Sequence, residues 1–365
     1  MNSPLATILA SAGKNTEEQL HPNGSRLLLL PYGGRVLGLF APGSDGNFFW
    51  THPALRAAES ARRLYGTRNW HNSGGDRIWL APEIDIFFPN FPKTDIWRVP
   101  AEVDPGNYCL HRSGHALGLV SSFTLTLSRS RAKVAGMITK SYTAAANPLG
   151  HEGHRGEWAE VRYAGYTQET ALELTGGSSA QIGLWSLLQL PPGGEALIPT
   201  LSKDEPKVYA GPIAPETLVV TSGLVRFLPG DGGVRKFAMR AAASTGRFGY
   251  LYPSEHDWAL VVRNFTVQVS GKYLDVPWND PTSVNDCVYS TQVCSVNNEL
   301  GSYCELEYHI PAVGGDAGSD CCRDITQVWA FRGPEGRMRA AARTLLLRES
   351  KSSSPRGANH ARSLL

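Results

Sequence analysis

Residues 71–89 read HNSGGDRIWLAPEIDIFFP. Ile78, Leu80, Ile84, Ile86, Phe87 and Phe88 give this stretch enough apolar character to run through a core. Asp76, Arg77, Glu83 and Asp85 lie among them, and each is costly to bury unless a polar partner meets it. A strand that carries both kinds of residue is expected to floor a polar pocket. In an extended chain Asp76 and Arg77 point to opposite faces, so they are not expected to hold the same ligand atom.

Outward from this stretch the pattern is mostly β. Residues 25–40 read as two strands about a Pro-Tyr-Gly-Gly turn, and residues 54–65 as an amphipathic helix. Strand-like runs follow at 116–127, 133–139, 160–174, 182–190, 196–200, 218–228, 235–240, 259–269, 288–293, 302–310 and 326–331. Short strands with one clear helix predict an all-β sandwich or barrel. No fixed-period repeat or mid-chain linker appears. The expected organisation is a lead-in at 1–22, a single domain at 23–335 and a basic tail at 336–365. The tail holds seven Lys or Arg against one Glu; residues 337–348 suit a short basic helix, and the Ser-rich remainder suits disorder.

Composition narrows the function classes. Lys and Arg total 35 against 33 Asp and Glu, a net charge of +2, which gives no electrostatic case for nucleic acid. No apolar run approaches the roughly 20 residues of a membrane helix. The start has no basic segment before its short apolar part, which Thr7 and Ser11 interrupt. No signal peptide is expected, and the cytoplasm is the expected compartment. The cysteines are Cys109, Cys287, Cys294, Cys304, Cys321 and Cys322, and their spacing does not pair ligands as a zinc site would. Buried free thiols and no metal are expected. The pair His151 and His154 sits among Pro148, Gly150 and Gly153, which favours a polar loop over a metal-binding helix. No nucleophile elbow, phosphate loop or dinucleotide fingerprint is present.

Four segments occur in an order that carries a resemblance: GGRVLGLFAP, GGDRIWLAPEIDIFFP, LWSLLQLPPGGEALIP, and SYCELEYHIPAV followed by TQVWAF. Over roughly residues 25–332 the chain resembles uncharacterised relatives of the aldose 1-epimerases, in the galactose mutarotase-like superfamily. The resemblance implies a β-supersandwich: two large, mostly antiparallel sheets packed face to face, with a sugar cleft on the concave side. It implies a mono- or oligosaccharide as partner and chemistry that needs no cofactor. In the mutarotases a C-terminal strand supplies a Glu base, and a mid-sequence His in an Asn-His-x-aromatic context protonates the ring oxygen. The second motif is absent: His111, His115, His151 and His154 stand in other contexts.

The residues themselves supply candidates. Alternation along 302–310 puts Glu305, Glu307 and His309 on one face, with Cys304, Leu306 and Tyr308 on the other. Two carboxylates two apart on a strand sit side by side, and burial raises the pKa of one, which suits acid–base work on a hydroxyl. Glu305 or Glu307 is the expected base, and His309 the expected acid. Substrate contacts are expected from Asp76, Arg77, Trp79, Glu83, His71 and Trp185. Arg77 offers a donor fork for hydroxyls, a carboxylate or a phosphate; Trp79 and Trp185 offer ring faces for a pyranose. A structural Arg77–Glu83 pair is the competing reading. The leading expectation is epimerase-type chemistry on a sugar. The alternatives are a non-catalytic carbohydrate-binding protein, and a glycoside hydrolase or lyase with Glu83 or Asp85 facing Glu305 or Glu307.

Overall fold

The computed structural model describes residues 3–113, 116–150, 156–177, 179–230, 232–278 and 286–347. His115, His151 and His154 lie outside the described residues.

The strand predicted around Trp79 is shorter than the apolar run suggested. It spans Asp76–Ala81, and the chain then turns at Pro82 into the short helix Glu83–Ile86. Glu83 and Asp85 therefore sit beyond the strand, not on it. The two glycines ahead of it have a steric reason. Gly74 and Gly75 have φ of 95° and 79°, and a Cβ at either would fall 2.3 Å from a backbone oxygen, of Trp50 and Val36 respectively. Only glycine lets the neighbouring segments approach so closely.

Two sheets, of nine and ten strands among the described residues, contain this strand and its relatives. Every pairing between their strands is antiparallel. The expected sandwich of two large antiparallel sheets is the architecture observed. The middle of the nine-stranded sheet runs Asp76–Ala81, Gly183–Leu190, Gly301–His309, Tyr289–Asn298 and Gly233–Arg240 in spatial order. Alternation divides these strands cleanly. Ile78, Leu188, Leu306, Val293 and Phe237 point into the apolar core between the sheets. Their alternate neighbours along each strand face outward, where the candidate site lies.

The interior also holds charge. Asp76 and Arg263 are fully buried and meet in a bidentate pair, with Oδ1–Nη1 3.0 Å and Oδ2–Nη2 2.8 Å. The Tyr166 hydroxyl donates to the same carboxylate at 2.5 Å. These three residues come from both sheets, so the pair ties the layers together.

Both expected end segments are more integrated than the sequence suggested. Residues 1–22 include the helix Pro4–Ser11 and the strand Glu17–Leu20, which pairs with Arg26–Leu30 as an edge of the nine-stranded sheet. The supposed tail begins with the helix Glu335–Leu346, docked on the ten-stranded sheet. Met338, Ala341, Ala342, Leu345 and Leu346 bury against residues such as Leu251, Leu260 and Phe331. That spacing is one helical face, and Arg339 at its margin pairs with Glu195 of the sheet at 3.0 Å. Residues 348–365 of the expected tail lie outside the described residues. No helix among the described residues is long and apolar enough to cross a membrane. Of the cysteines, Cys294 and Cys304 are buried as expected, whereas Cys109 and Cys321 are exposed.

Candidate functional site

Register across the five central strands assembles the outward face into rows. One row joins Arg77, Leu187, Glu307, Gln292 and Ala238. The next joins Gln189, Glu305, Cys294 and Lys236. A third joins Trp79, Trp185 and His309. Directly paired residues share a face, so these rows stack carboxylates, cations and indoles side by side. Above them lies a cavity of about 480 Å³. Its walls include five of the nine tryptophans of the chain: Trp70, Trp79, Trp97, Trp185 and Trp278. Trp79 and Trp185 belong to the buried core beneath, whereas the half-buried Trp70, Trp97 and Trp278 present indole surface to the cavity.

The polar floor has two centres. In the first, Arg77 Nη2 donates to Glu305 Oε1 at 3.0 Å, and Gln189 Nε2 donates to the same oxygen at 2.9 Å. The guanidinium lies 4.2 Å from the centre of the Trp79 ring. In the second, Lys236 Nζ stands 3.1 Å from Glu307 Oε2, 3.3 Å from Glu83 Oε2 and 3.8 Å from Asp275 Oδ2. Three indole N–H groups complete it: Trp185 donates to Glu307 at 2.8 Å, and Trp97 and Trp278 donate to Glu83 at 3.1 and 2.7 Å. Asp275 is held in turn by Gln292 Nε2 at 2.7 Å and the Glu83 backbone N–H at 3.2 Å.

Three buried carboxylates around one ammonium cannot all ionise cheaply. Burial pushes Glu307 up to about 8, against Lys236 and with the help of Glu305 and Glu83. Burial likewise pushes Glu83 up to about 7, against the pull of Lys236. For Lys236, burial pulls the pKa down, but Glu307, Glu83 and Asp275 together hold it well above its ordinary 10.5. The second centre thus keeps a charged lysine and retains a proton on its carboxylates near neutral pH. The first centre is an ion pair.

Of the predicted residues, Glu305, Glu307, Arg77, Trp79, Glu83 and Trp185 all line this cavity. The competing Arg77–Glu83 pair does not form; Arg77 takes Glu305 and Glu83 takes Lys236. Three residues fall elsewhere. His309 has the expected facing but is covered by Trp185, whose ring stacks on it at 5.6 Å and 13°. It is fully buried, 3.7 Å from Asp275, and burial pulls it down to about 4, so it is neutral and has no access to the cavity. Asp76 faces the interior and pairs with Arg263. His71 bonds Thr67 Oγ1 at 2.7 Å and is no part of the cavity wall. Asp85, offered for a hydrolase, accepts the Arg129 N–H at 2.6 Å and lines a separate groove. That groove is larger, about 630 Å³, but Arg129 and Lys272 in it are exposed and no aromatic residue lines it.

Lys236, Asp275, Trp97 and Trp278 were not anticipated. Lys236 had a local signal: it alternates with Phe237 and Met239 inside a strand, which places a charge on a sheet face. The others come from loops, where period gives no direction. Cys294 joins Glu305 and Glu307 in a group whose potential metal-ligating atoms lie within 4.8 Å of one another. Burial holds its thiol well above 9.0, so it stays protonated, and Arg77 and Lys236 already engage the two carboxyl groups. This donor set suits protein cations better than a metal.

The trapped proton has a thermodynamic signature. Unfolded Glu307 releases its proton near 4.5, whereas the folded residue keeps it up to about 8. Its contribution to stability is therefore fully present below 4.5 and is lost as pH rises through 8. His309, pulled down to about 4, and Lys140, pulled down to about 7 by burial, contribute opposite slopes. The readout is accordingly a difference. The unfolding free energy of the wild type minus that of Glu307→Gln should decline across this window in urea titrations at stepped pH. A flat difference would mean that the proton is not held there.

No protein-family model matches the chain, and no curated protein matches it. Solved structures with similar folds include a galactose mutarotase related enzyme from Lactobacillus acidophilus, at 9 % identity over 88 % of this chain and 97 % of that one, with a TM-score of 0.47. An aldose epimerase homologue from C. elegans is 8 % identical over 88 % of this chain and 99 % of that one, with a TM-score of 0.42. A TPR-domain containing protein from Parabacteroides distasonis is 10 % identical over 84 % of this chain, which spans 45 % of that protein, with a TM-score of 0.45. These are likenesses of strand arrangement only.

Proposed function

We propose that this protein binds a sugar in the indole-lined cavity and exchanges its anomers by acid–base chemistry, with Glu305 as base and Glu307 as acid. The carrying observation is the split between two glutamates on one strand: Glu305 is ion-paired with Arg77 at 3.0 Å, whereas Glu307, 3.1 Å from Lys236, is pushed up to about 8 by burial and keeps its proton. Pairs of carboxyl groups whose surroundings push them apart take opposite roles. The Glu305 carboxylate takes the proton of the anomeric hydroxyl. The bond from the anomeric carbon to the ring oxygen breaks, and that oxygen takes the proton of Glu307. Rotation and reclosure run the same steps backward and restore both glutamates, so no oxidant or reductant enters.

Trp79 and Trp185 are fully buried, under Arg77 and Lys236, so the half-buried Trp70, Trp97 and Trp278 supply the apolar contact that a pyranose C–H face seeks, in a cavity of ligand size. A hydrolase would need Glu83 to face Glu305 or Glu307 across the scissile bond, but Glu83 and Glu307 both close on the one Lys236 ammonium, at 3.3 and 3.1 Å. The test is NMR exchange spectroscopy on a panel of free aldoses with catalytic amounts of the full chain. Enhanced anomer exchange for at least one aldose is expected. Sugar binding in a thermal-shift screen without any exchange would overturn the acid–base reading and leave a recognition protein.

A further inference from the structure

We propose that the sugar taken by this cavity carries a positive charge, as a free amino sugar does. This rests on the sugar reading above and concerns the same cavity. The wall contains five acidic side chains, Glu83, Asp95, Glu299, Glu305 and Glu307, against two basic ones, Arg77 and Lys236. Asp275 adds a buried carboxylate 3.8 Å from Lys236. Both cations are already committed, Arg77 to Glu305 at 3.0 Å and Lys236 to Glu307 and Glu83 at 3.1 and 3.3 Å. Below neutral pH, Glu83 and Glu307, pushed up to about 7 and about 8, hold their protons, so with Glu305 opposite Arg77 and Asp275 opposite Lys236 the negative excess rests on Asp95 and Glu299.

The aromatic wall acts in the same direction. Indole faces attract cations, and this cavity uses that attraction on both of its own cations, Lys236 also lying 5.5 Å from the Trp278 ring centre. Lys236 Nζ sits 4.4 Å from the Trp185 ring centre, and Arg77 Cζ 4.2 Å from that of Trp79. Trp70 and Trp97, half-buried and edge-to-face at 5.6 Å, extend the same kind of surface along the wall. Asp95 and Glu299 are exposed. An exposed carboxylate alone is worth little, but a low-dielectric cleft with one excess sign focuses its field on the ligand.

An ammonium group donates three N–H bonds, all to acceptors of the kind this wall supplies. A uronate or sugar phosphate would instead meet like charge. Arg77 had been a candidate to receive such an anion, but its charge is spent on Glu305. Its Nε and Nη1 groups, buried without an acceptor among the described residues, suit neutral oxygens such as hydroxyls. The cavity therefore has donors for hydroxyls and surplus negative charge for an amine.

Isothermal titration of the full chain with glucosamine, glucose, N-acetylglucosamine and glucuronate, repeated with the galacto and manno series, tests the assignment below neutral pH, where the amine is charged. In at least one series the amino sugar should bind about tenfold or more tighter than its neutral counterparts, with the uronate weakest. That advantage should shrink between about 50 and about 500 mM salt. It should also shrink in the Asp95→Asn, Glu299→Gln double variant. Neutral sugars that bind as tightly as the amines would overturn the charge assignment and leave the sugar reading standing. No binding by any sugar would remove both.

Discussion

A Glu307→Gln protein loses at least about 100-fold of its anomer-exchange rate while keeping its fold, because the change removes an acid and little else. With the carboxyl pushed up to about 8, the wild-type residue is mostly neutral at pH 7, and Gln reproduces that uncharged shape. The Trp185 N–H retains an oxygen acceptor, and Lys236 retains Glu83 and Asp275. What disappears is a proton that the group can give. Glu305→Gln is expected to lose a similar factor by removing the base, but at a larger cost in stability, because it strips the buried Arg77 of its counter-charge. Comparing the two separates chemistry from folding. The wild-type rate should also fall as pH rises through about 8, since the acid must be protonated. Exchange by NMR line broadening across pH reads both effects. If Glu307→Gln exchanges at the wild-type rate and keeps the same pH profile, Glu307 is not the acid.

The strand at residues 302–310 shows how much of this site a sequence can hold. Alternation alone separated Glu305, Glu307 and His309 from Cys304, Leu306 and Tyr308, and the fold sends the second set to the core. The same period placed Asp76 and Arg77 on opposite faces. Facing, however, does not give neighbours. His309 points the right way and is still useless to a ligand, because Trp185 covers it. Lys236 is brought beside Glu307 by register, since it pairs with Cys294 and Cys294 with Glu305, and that register depends on long-range pairing. The latch on Glu83 is less legible still. Trp97 and Trp278 lie outside the named strands, and Pro82 turns the chain so that Glu83 leaves the strand expected to carry it. At the C-terminus the spacing of Met338, Ala341, Ala342, Leu345 and Leu346 already described a docking face. The arginines between them dominated the composition and suggested a solvated tail.

The largest stability effect should come from a residue that never meets the ligand. Asp76→Ala is expected to lower the unfolding free energy by about 3–5 kcal/mol in urea denaturation, the usual cost of leaving one partner of a buried pair behind. Arg263 is fully buried between the sheets and cannot shed its proton. With Asp76 gone its remaining contacts are weak: Nε to Thr326 Oγ1 at 3.3 Å, and the face of Tyr308 at 5.1 Å from Cζ. The Tyr166 hydroxyl loses its acceptor as well. A control distinguishes the stranded charge from a simple cavity. The double variant Asp76→Leu, Arg263→Met removes both charges and refills the space, so it should recover most of the loss. If the double variant is no more stable than Asp76→Ala, packing rather than charge governs this position. The consequence reaches the site through one peptide bond. Asp76 pins the start of the strand whose next outward residues are Arg77 and Trp79, so the pair that joins the two sheets also fixes the first wall of the cavity.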